Sequence, residues 1–298
     1  MPVALPDMHS DITFPTSDGR QINGQLYRPA ELTDDQPAVV IHPATGVHMG
    51  LYAKFAEYLA EQGMPALIYD FRGTGKSEQP GDLSDKSLLM SDWMLLDVPA
   101  ANRFMRKEFP ARRLVAVGHS VGAHGSFMSF ADEPVDAIAA IASHAGITKL
   151  IPEAKERARI WTVFNVITPL TARVLGHVPV AKIGMGRDIP VGVMTQWSRW
   201  TRKPGYFFDD KDFPGQGHTP QERFAKVTAP VLSVVFTDDL WATREASDVL
   251  VDKLSGAEVE RRDISPESIG VKSIGHMGFF RSANRQLWPA VAEWVQQA

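Results

Sequence analysis

The sequence predicts an α/β protein with a mostly parallel, doubly wound sheet. Three observations carry this. First, short apolar runs recur along the chain: "PAVVIHP" (37–43), "MPALIYD" (64–70), "RRLVAVG" (112–118), "VDAIAAIAS" (135–143) and "APVLSVVFTDD" (229–239). Near-continuous apolar runs of this length read as strands buried on both faces, as parallel strands are. Second, stretches with helical spacing lie between them, the alternation of a doubly wound sheet. Third, Gly118-His119-Ser120-Val121-Gly122 stands where one such strand stops and a helix begins.

The elements follow in order. "DITFPT" and "QINGQLYRP" alternate around "SDGR" and read as a β-hairpin. The first buried strand is followed by "LYAKFAEYLAEQG" (51–63), where Leu51, Phe55, Tyr58 and Leu59 share a helix face and Gly63 is a stop. The strand 64–70 runs into "FRGTGKSEQPGD", a loop dense in glycine and polar residues. It has the look of a phosphate loop but does not complete the G-x-x-x-x-G-K-[ST] pattern, so a turn is expected. Residues 87–109 read as helical, with Pro99 marking a kink or a boundary. After the strand 112–118 comes the helix "SVGAHGSFMSFA", then the strand 135–143.

From 146 to 217 no buried strand is legible. Helical stretches are expected at 152–175 and 191–202, among the aromatics Trp161, Phe164, Trp197, Trp200, Tyr206, Phe207 and Phe208. The alternation resumes with 229–239, a helix at 243–254, "EVERRDI" as a strand and a last helix at 283–297. A strandless stretch of about 70 residues inside a regular α/β chain reads as an inserted helical cap. The expected division is therefore a core of 1–145 and 218–298, with a cap (lid) at 146–217.

Composition narrows the function classes. The chain has 298 residues, 44% hydrophobic and 22% charged, ordinary for a soluble globular protein. A net charge of −4 gives no electrostatic case for nucleic acid or an anionic membrane as partner. Cysteine is absent, which excludes disulfides, a zinc–thiolate site and a cysteine nucleophile. No apolar run reaches the ~20 residues that span a bilayer. The start, "MPVALPDMHSDITF", has neither a basic n-region nor a long apolar h-region, so no signal peptide is expected. A cytoplasmic protein is the expectation.

G-x-S-x-G between strand and helix is the pattern of a nucleophile elbow. Serine on so tight a turn is held in a strained conformation, and the strand and helix backbones pass so close that a Cβ at either glycine would clash. The turn also sets the serine at a helix N-terminus, where developing negative charge is favoured. A serine hydroxyl needs a base, and with this elbow the order along the chain is Ser, then Asp or Glu, then His. Of the histidines at or beyond the point where the base belongs, His144 ends the strand after the elbow helix, and His177 and His218 lie in or beside the cap. His276, in "KSIGHMGFF", lies between the last strand and the last helix. Two aspartates end the strand 229–239. Asp239 is the chosen carboxylate, with Asp238 as the alternative; one of the two is expected to serve as a turn or helix cap.

At these residues the chain resembles the α/β-hydrolases over nearly its whole length. "HPATGV" resembles the oxyanion loop after the third strand, "YDFRGTGKS" the loop after the fourth, "GHSVG" the elbow and "GHMGFFR" the histidine loop. More narrowly it resembles a bacterial group of predicted α/β-hydrolases with HPATG, DFRGTG and IGHMGFFR segments. The resemblance implies Ser120 as nucleophile, His276 as general base and acid, and Asp239 as its orienting carboxylate. It implies the backbone N–H groups of Val121 and Ala44 as oxyanion donors. The family usually has His-Gly where this chain has His42-Pro43, and proline fixes φ and has no N–H, so Thr45 is a second candidate donor.

The expected function is a serine hydrolase cleaving a carboxylic ester of a small, apolar acyl substrate through an acyl-enzyme. Acyl transfer with the same triad, amide or carbon–carbon bond hydrolysis, and a non-catalytic binding protein are the alternatives. Serine at 120 argues against a haloalkane dehalogenase or an epoxide hydrolase. No cofactor and no metal is expected, and the oligomeric state is open. His42, His48, His119, His124 and His144 lie near the site in sequence. Each alone reads as a packing or locally bonded histidine, with His119 retained as a possible pocket residue beside Thr45. Trp161, Trp197 and Trp200, with Phe164, either form a substrate pocket or bury the cap on the core.

Overall fold

The computed structural model describes residues 9–31, 35–183, 186–215 and 217–298. The first eight residues, where no signal peptide is expected, and positions 184, 185 and 216 of the expected cap lie outside the described residues.

Strands β1 (His9–Pro15) and β2 (Gln21–Tyr27) form the expected antiparallel hairpin. The buried strands follow, β3 (Ala38–His42), β4 (Ala66–Tyr69), β5 (Leu114–His119), β6 (Ala137–Ile141) and β7 (Val231–Phe236), and then the more exposed β8 (Val259–Ile264). They make one eight-stranded sheet in the order β1-β2-β4-β3-β5-β6-β7-β8, parallel from β4 to β8, with β2 antiparallel to β4. After the edge hairpin, the parallel part starts in the middle at β3, steps one way to β4, and then returns past β3 to build β5 to β8. The strand order therefore reverses between β3 and β5, and in open α/β sheets the crevice at such a switch point is where ligands bind. The two loops leaving β3 and β5 here are "HPATG" and the serine turn.

Burial on both faces explains the unbroken apolar runs. Val40, Leu67, Ala116 and Ile138 point into one core layer, and Val39, Ile41, Val115 and Val117 into the other. The second layer is closed by α1 (Ala53–Glu61), the expected helix after β3, and by the last helix of the chain. β8 differs because it is an edge. Glu260, Arg261, Arg262 and Asp263 occupy four of its positions, and charge on an edge strand discourages pairing with another chain.

The helical region at 87–109 is α2 (Met90–Asp92), a π turn (Trp93–Asp97) and α3 (Val98–Glu108), running on without a break. Pro99 has no N–H for the carbonyl four residues back, at Leu95, and the wider π turn sits over that position. Next comes α4 (Val121–Ser129). The same device recurs between β6 and β7, where α5 (Ala154–Thr162), a π turn (Val163–Ile167) and α6 (Thr168–Val174) form one run, with Pro169 just after the π turn. α7 (Val191–Trp200) follows, and the described residues of 146–217 contain no strand, only a single bridge between Val178 and Ile189. α8 (Pro220–Ala225) opens on a Thr219–Glu222 capping box, and α9 (Arg244–Val251) and α10 (Trp288–Gln297) complete the chain. No helix among the described residues is long and apolar enough to cross a membrane.

Candidate active site

Ser120 sits between β5 and α4 with φ 51° and ψ −116°, a conformation that a residue with a side chain adopts only when its surroundings enforce it. The flanking glycines show what enforces it. A Cβ on Gly118 would meet the backbone N and Cα of Ala123 at 2.4 Å, and one on Gly122 would meet the His42 carbonyl oxygen at 2.2 Å. Gly118 thus lets α4 fold back on its own strand, and Gly122 lets it lie against the end of β3. The serine turn is pinned further: the Ser120 N–H donates to the Ile141 carbonyl (3.0 Å), and the Ser120 carbonyl accepts from Ala123 N–H and from the Ser143 hydroxyl, each at 3.1 Å. Val121 begins α4, and its N–H has no acceptor among the described residues.

The loops after β7 and β8 meet through two carboxylates. Asp239 Oδ2 lies 2.7 Å from His276 Nδ1, while its Oδ1 accepts from the N–H groups of Trp241 (2.9 Å) and Ala242 (3.1 Å). Asp239 is 4% exposed. Burial alone would raise its pKa, but the His276 charge and hydrogen bond, helped by His144 and the Trp241 amide, hold the carboxylate well below the usual range. Asp238 has the other task. Its Oδ2 accepts from the Ser273 hydroxyl and the Ile274 N–H, both 2.8 Å, and its Oδ1 accepts from the Gly275 N–H at 2.9 Å. One aspartate therefore contacts the imidazole, and its neighbour folds the three residues that precede it.

Ser120 and His276 line one cavity of about 300 Å³ with Ala44, Thr45, Gly186, Trp197, Asp238, Asp239, Leu240, Trp241 and Met277. Of the expected pocket residues, Thr45 and Trp197 are there and His119, Trp161 and Trp200 are not. Trp200 is fully buried and gives its indole N–H to Asp210 (2.6 Å), a core role. Trp161 is 53% exposed and lines a different hollow. Leu240, Trp241, Met277 and Gly186 were missed by the sequence reading, because nothing in their spacing marks loop residues that converge only in three dimensions.

His119 lies behind the site in a hydrogen-bond chain whose protons are fixed by one carbonyl. His119 Nε2 lies 2.9 Å from the His276 carbonyl, which can only accept, so Nε2 carries the hydrogen. Nδ1 is then an acceptor and takes the Tyr52 hydroxyl proton (2.9 Å). The Tyr52 oxygen in turn accepts from the Ala44 N–H at 2.8 Å. Burial, then the nearby His276 charge, pushes the His119 pKa down to about 3, so it stays neutral. Of the two loop amides considered as oxyanion donors, that of Ala44 is taken up by Tyr52, whereas that of Thr45 has no acceptor among the described residues.

The other histidines behave as packing or capping groups. His42 bonds the Tyr69 hydroxyl (2.8 Å), His124 the His144 carbonyl (3.0 Å), and His48 accepts from Gly50 N–H (3.2 Å). His144 stands edge-on to His276 with ring centres 5.3 Å apart, and burial drives its pKa down to about 4. In the glycine loop after β4, the Asp70 carboxylate accepts from the amides of Met49 (2.6 Å) and Lys76 (2.8 Å), filling the place an anion would take. Among the described residues no cluster of histidine and carboxylate groups is arranged to hold a metal ion.

Comparison with known proteins agrees with this architecture. An esterase of Pyrococcus furiosus superposes with a TM-score of 0.59 at 14% identity, covering 97% of this chain and 90% of its own. An α/β hydrolase of Penicillium sp. sh18 gives 0.62 at 15%, covering 98% and 99%. An esterase of Exiguobacterium antarcticum gives 0.58 at 14%, covering 96% and 100%. At these identities the likeness is one of fold. No curated protein sequence matches the chain. Residues 33–191, more than half of the sequence, match the Hydrolase_4 family, serine aminopeptidase S33. With an α/β-hydrolase sheet and a serine turn at its switch point, the chain belongs to that family of serine α/β-hydrolases.

Proposed function

We propose that this hydrolase cleaves carboxylic esters of small uncharged acyl substrates, with Ser120 as nucleophile, His276 as general base and acid, and Asp239 as the orienting carboxylate. The observation that carries the reading is the 2.7 Å contact between Asp239 Oδ2 and His276 Nδ1 at the wall of the cavity that holds Ser120. Asp239 fixes the hydrogen on Nδ1 and leaves Nε2 to take the Ser120 proton as the hydroxyl attacks the acyl carbon. The alkoxide that forms is held by the N–H groups of Val121 and Thr45, which replaces Ala44 as the donor from the β3 loop. As the ester C–O bond breaks, His276 gives the proton taken from Ser120 to the departing alkoxide oxygen and leaves Ser120 acylated; it then takes a proton from the water that attacks the acyl group and returns it to Ser120 as the acid leaves.

The lining favours an ester over a peptide with a free amino terminus. An α-ammonium is held best by a carboxylate that is not already engaged by neighbouring donors. Both oxygens of Asp238 and both of Asp239 already accept hydrogen bonds, five from the surrounding loops and one from His276. Among the described residues no lysine or arginine lines the cavity, so a carboxylate-bearing substrate finds no partner there either. Trp197, Leu240, Trp241 and Met277 offer apolar contact, and about 300 Å³ suits a short acyl group. Residues 146–217 act as a cap in this account, since Gly186 and Trp197 reach the cavity from that segment. We also place the chain with the bacterial group that shares the HPATG, DFRGTG and IGHMGFFR segments, and in the cytoplasm.

The test is a p-nitrophenyl ester series by acyl length, run beside Ser120→Ala. The account expects hydrolysis that favours the short acyl chains and is lost in the variant. Activity that survives Ser120→Ala, or an aminoacyl-amide substrate preferred over every ester, overturns it.

A further inference from the structure

A second hollow, of about 630 Å³, lies between α5 and the turn at 201–204. It shares no lining residue with the cavity of Ser120. Its origin is in the sequence of α5. Ala154 and Ala158 are small and leave room on the face where Arg157 and Trp161 stand, one turn apart. The opposite wall holds Thr148, Lys149 and Arg202, and the Thr148 N–H bond to the Thr201 carbonyl (3.1 Å) ties its two strips together.

The charge on this lining is one-sided. Lys149, Arg157 and Arg202 line the hollow, and among the described residues no carboxylate does. None of the three forms an ion pair among the described residues. Both arginines are nevertheless held in place by carbonyls: Arg157 Nη1 donates to Ile151 (2.6 Å), and Arg202 Nε donates to Ser198 (3.1 Å). Each keeps most of its five donors free. Trp161, 53% exposed, supplies an apolar wall beside these cations. A large side chain left half in water gains when an apolar group covers it. Cations that line one hollow repel until an anion joins them, and a planar guanidinium fits a carboxylate in two-point fashion.

We infer that this hollow is a second binding site, for an amphiphilic organic carboxylate. The carboxylate lies among Lys149, Arg157 and Arg202, and the apolar part lies on Trp161. The volume is in the ordinary range for small-ligand sites, ~300–1,000 Å³. The active-site cavity has the opposite lining, Asp238 and Asp239 with no arginine or lysine among the described residues, which disfavours the carboxylate there. The inference does not rest on the ester reading, because binding is measured without turnover.

The test is calorimetric titration of dodecanoate, with dodecanol as its uncharged match, into the Ser120→Ala protein. One dodecanoate per chain is expected, with dodecanol at least tenfold weaker. Arg157→Gln with Arg202→Gln should weaken dodecanoate at least tenfold, and Trp161→Ala should weaken both ligands. These side chains are outside the core, so unchanged circular dichroism and melting temperature serve as the folding control. Failure of dodecanoate to bind overturns the site, as does equal binding by the double arginine variant. Loss of binding to wild-type protein whose Ser120 carries a fluorophosphonate label also overturns it, since the ligand would then occupy the catalytic cavity.

Discussion

The Ala44 N–H donates to the Tyr52 hydroxyl at 2.8 Å, so of the two loop amides after β3 only that of Thr45 is left without an acceptor among the described residues. Replacing the Thr45 amide by an ester, which deletes this one N–H, should lower kcat by about 100- to 1000-fold, the usual effect of losing one oxyanion donor. The same replacement at Ala44 should leave kcat within about tenfold and chiefly lower stability, as an orphaned hydroxyl acceptor costs about 1–3 kcal/mol. Steady-state kinetics of the two backbone variants decide it. The reverse order of effects would return the role to Ala44.

The two adjacent aspartates should separate cleanly on mutation. Asp239→Asn removes the charge that orients His276 and should reduce kcat by about 10⁴-fold with the fold intact. Asp238→Asn replaces an acceptor oxygen by an NH₂ facing the Ser273–Gly275 donors. It should lower the melting temperature by several degrees and reduce kcat less than the Asp239 change does. Kinetics and calorimetry on the pair test this; a larger kcat loss at 238 would exchange the roles.

Gly122→Ala should destabilise the protein by several kcal/mol, because the new Cβ would stand 2.2 Å from the carbonyl oxygen of His42, a backbone atom that has no room to yield. Gly270→Ala is the control for backbone strain without a clash: φ there is positive, at 69°, and nothing lies within 4 Å of the new Cβ. It should cost only about 1–2 kcal/mol of backbone strain. Urea unfolding of both variants measures the difference.

Stability should fall on mild acidification. His42, His119 and His124 are driven down to about 3, and His144 to about 4, in each case first by burial. In the unfolded chain a histidine titrates near pH 6.5. Between about pH 6 and 4 the unfolded state therefore binds more protons than the folded one, and stability drops with pH by up to roughly 1.4 kcal/mol per unit for each histidine. The lowered pKa of Asp239 has the same sign but acts only below about pH 4, where the unfolded carboxyl begins to protonate. Urea midpoints at pH 7 and pH 5 check the slope; equal midpoints contradict the burial of uncharged imidazoles.

How much of this was legible in the sequence follows from what each feature depends on. The strands could be read because burial on both faces removes polar residues from runs such as Val39-Val40-Ile41, and that is a property of composition alone. The Ser120 turn could be read because its glycines answer to steric contacts that recur with the motif, as the 2.4 Å and 2.2 Å approaches confirm. His276 and Asp239 could be placed because chain order and strand ends locate loops on one edge of a parallel sheet. The helix runs at 90–108 and 154–174 were found, but not their π turns, since a proline reports that a hydrogen bond is missing and not how the backbone closes the gap. The Tyr52–His119 chain was out of reach, and so were the donors that Asp238 gathers, although the choice of Asp239 over Asp238 was already made. Both depend on angles and distances between loops far apart in sequence.

The central claim is that Ser120 is the nucleophile of a working serine hydrolase. Its most direct measurement is labelling of the purified protein with a fluorophosphonate probe, followed by peptide mapping by mass spectrometry. The account predicts one adduct per chain, on Ser120, formed at least 100-fold more slowly in Asp239→Asn and not at all in Ser120→Ala. No adduct on a folded wild-type chain, or an adduct on another serine that persists in Ser120→Ala, would contradict it.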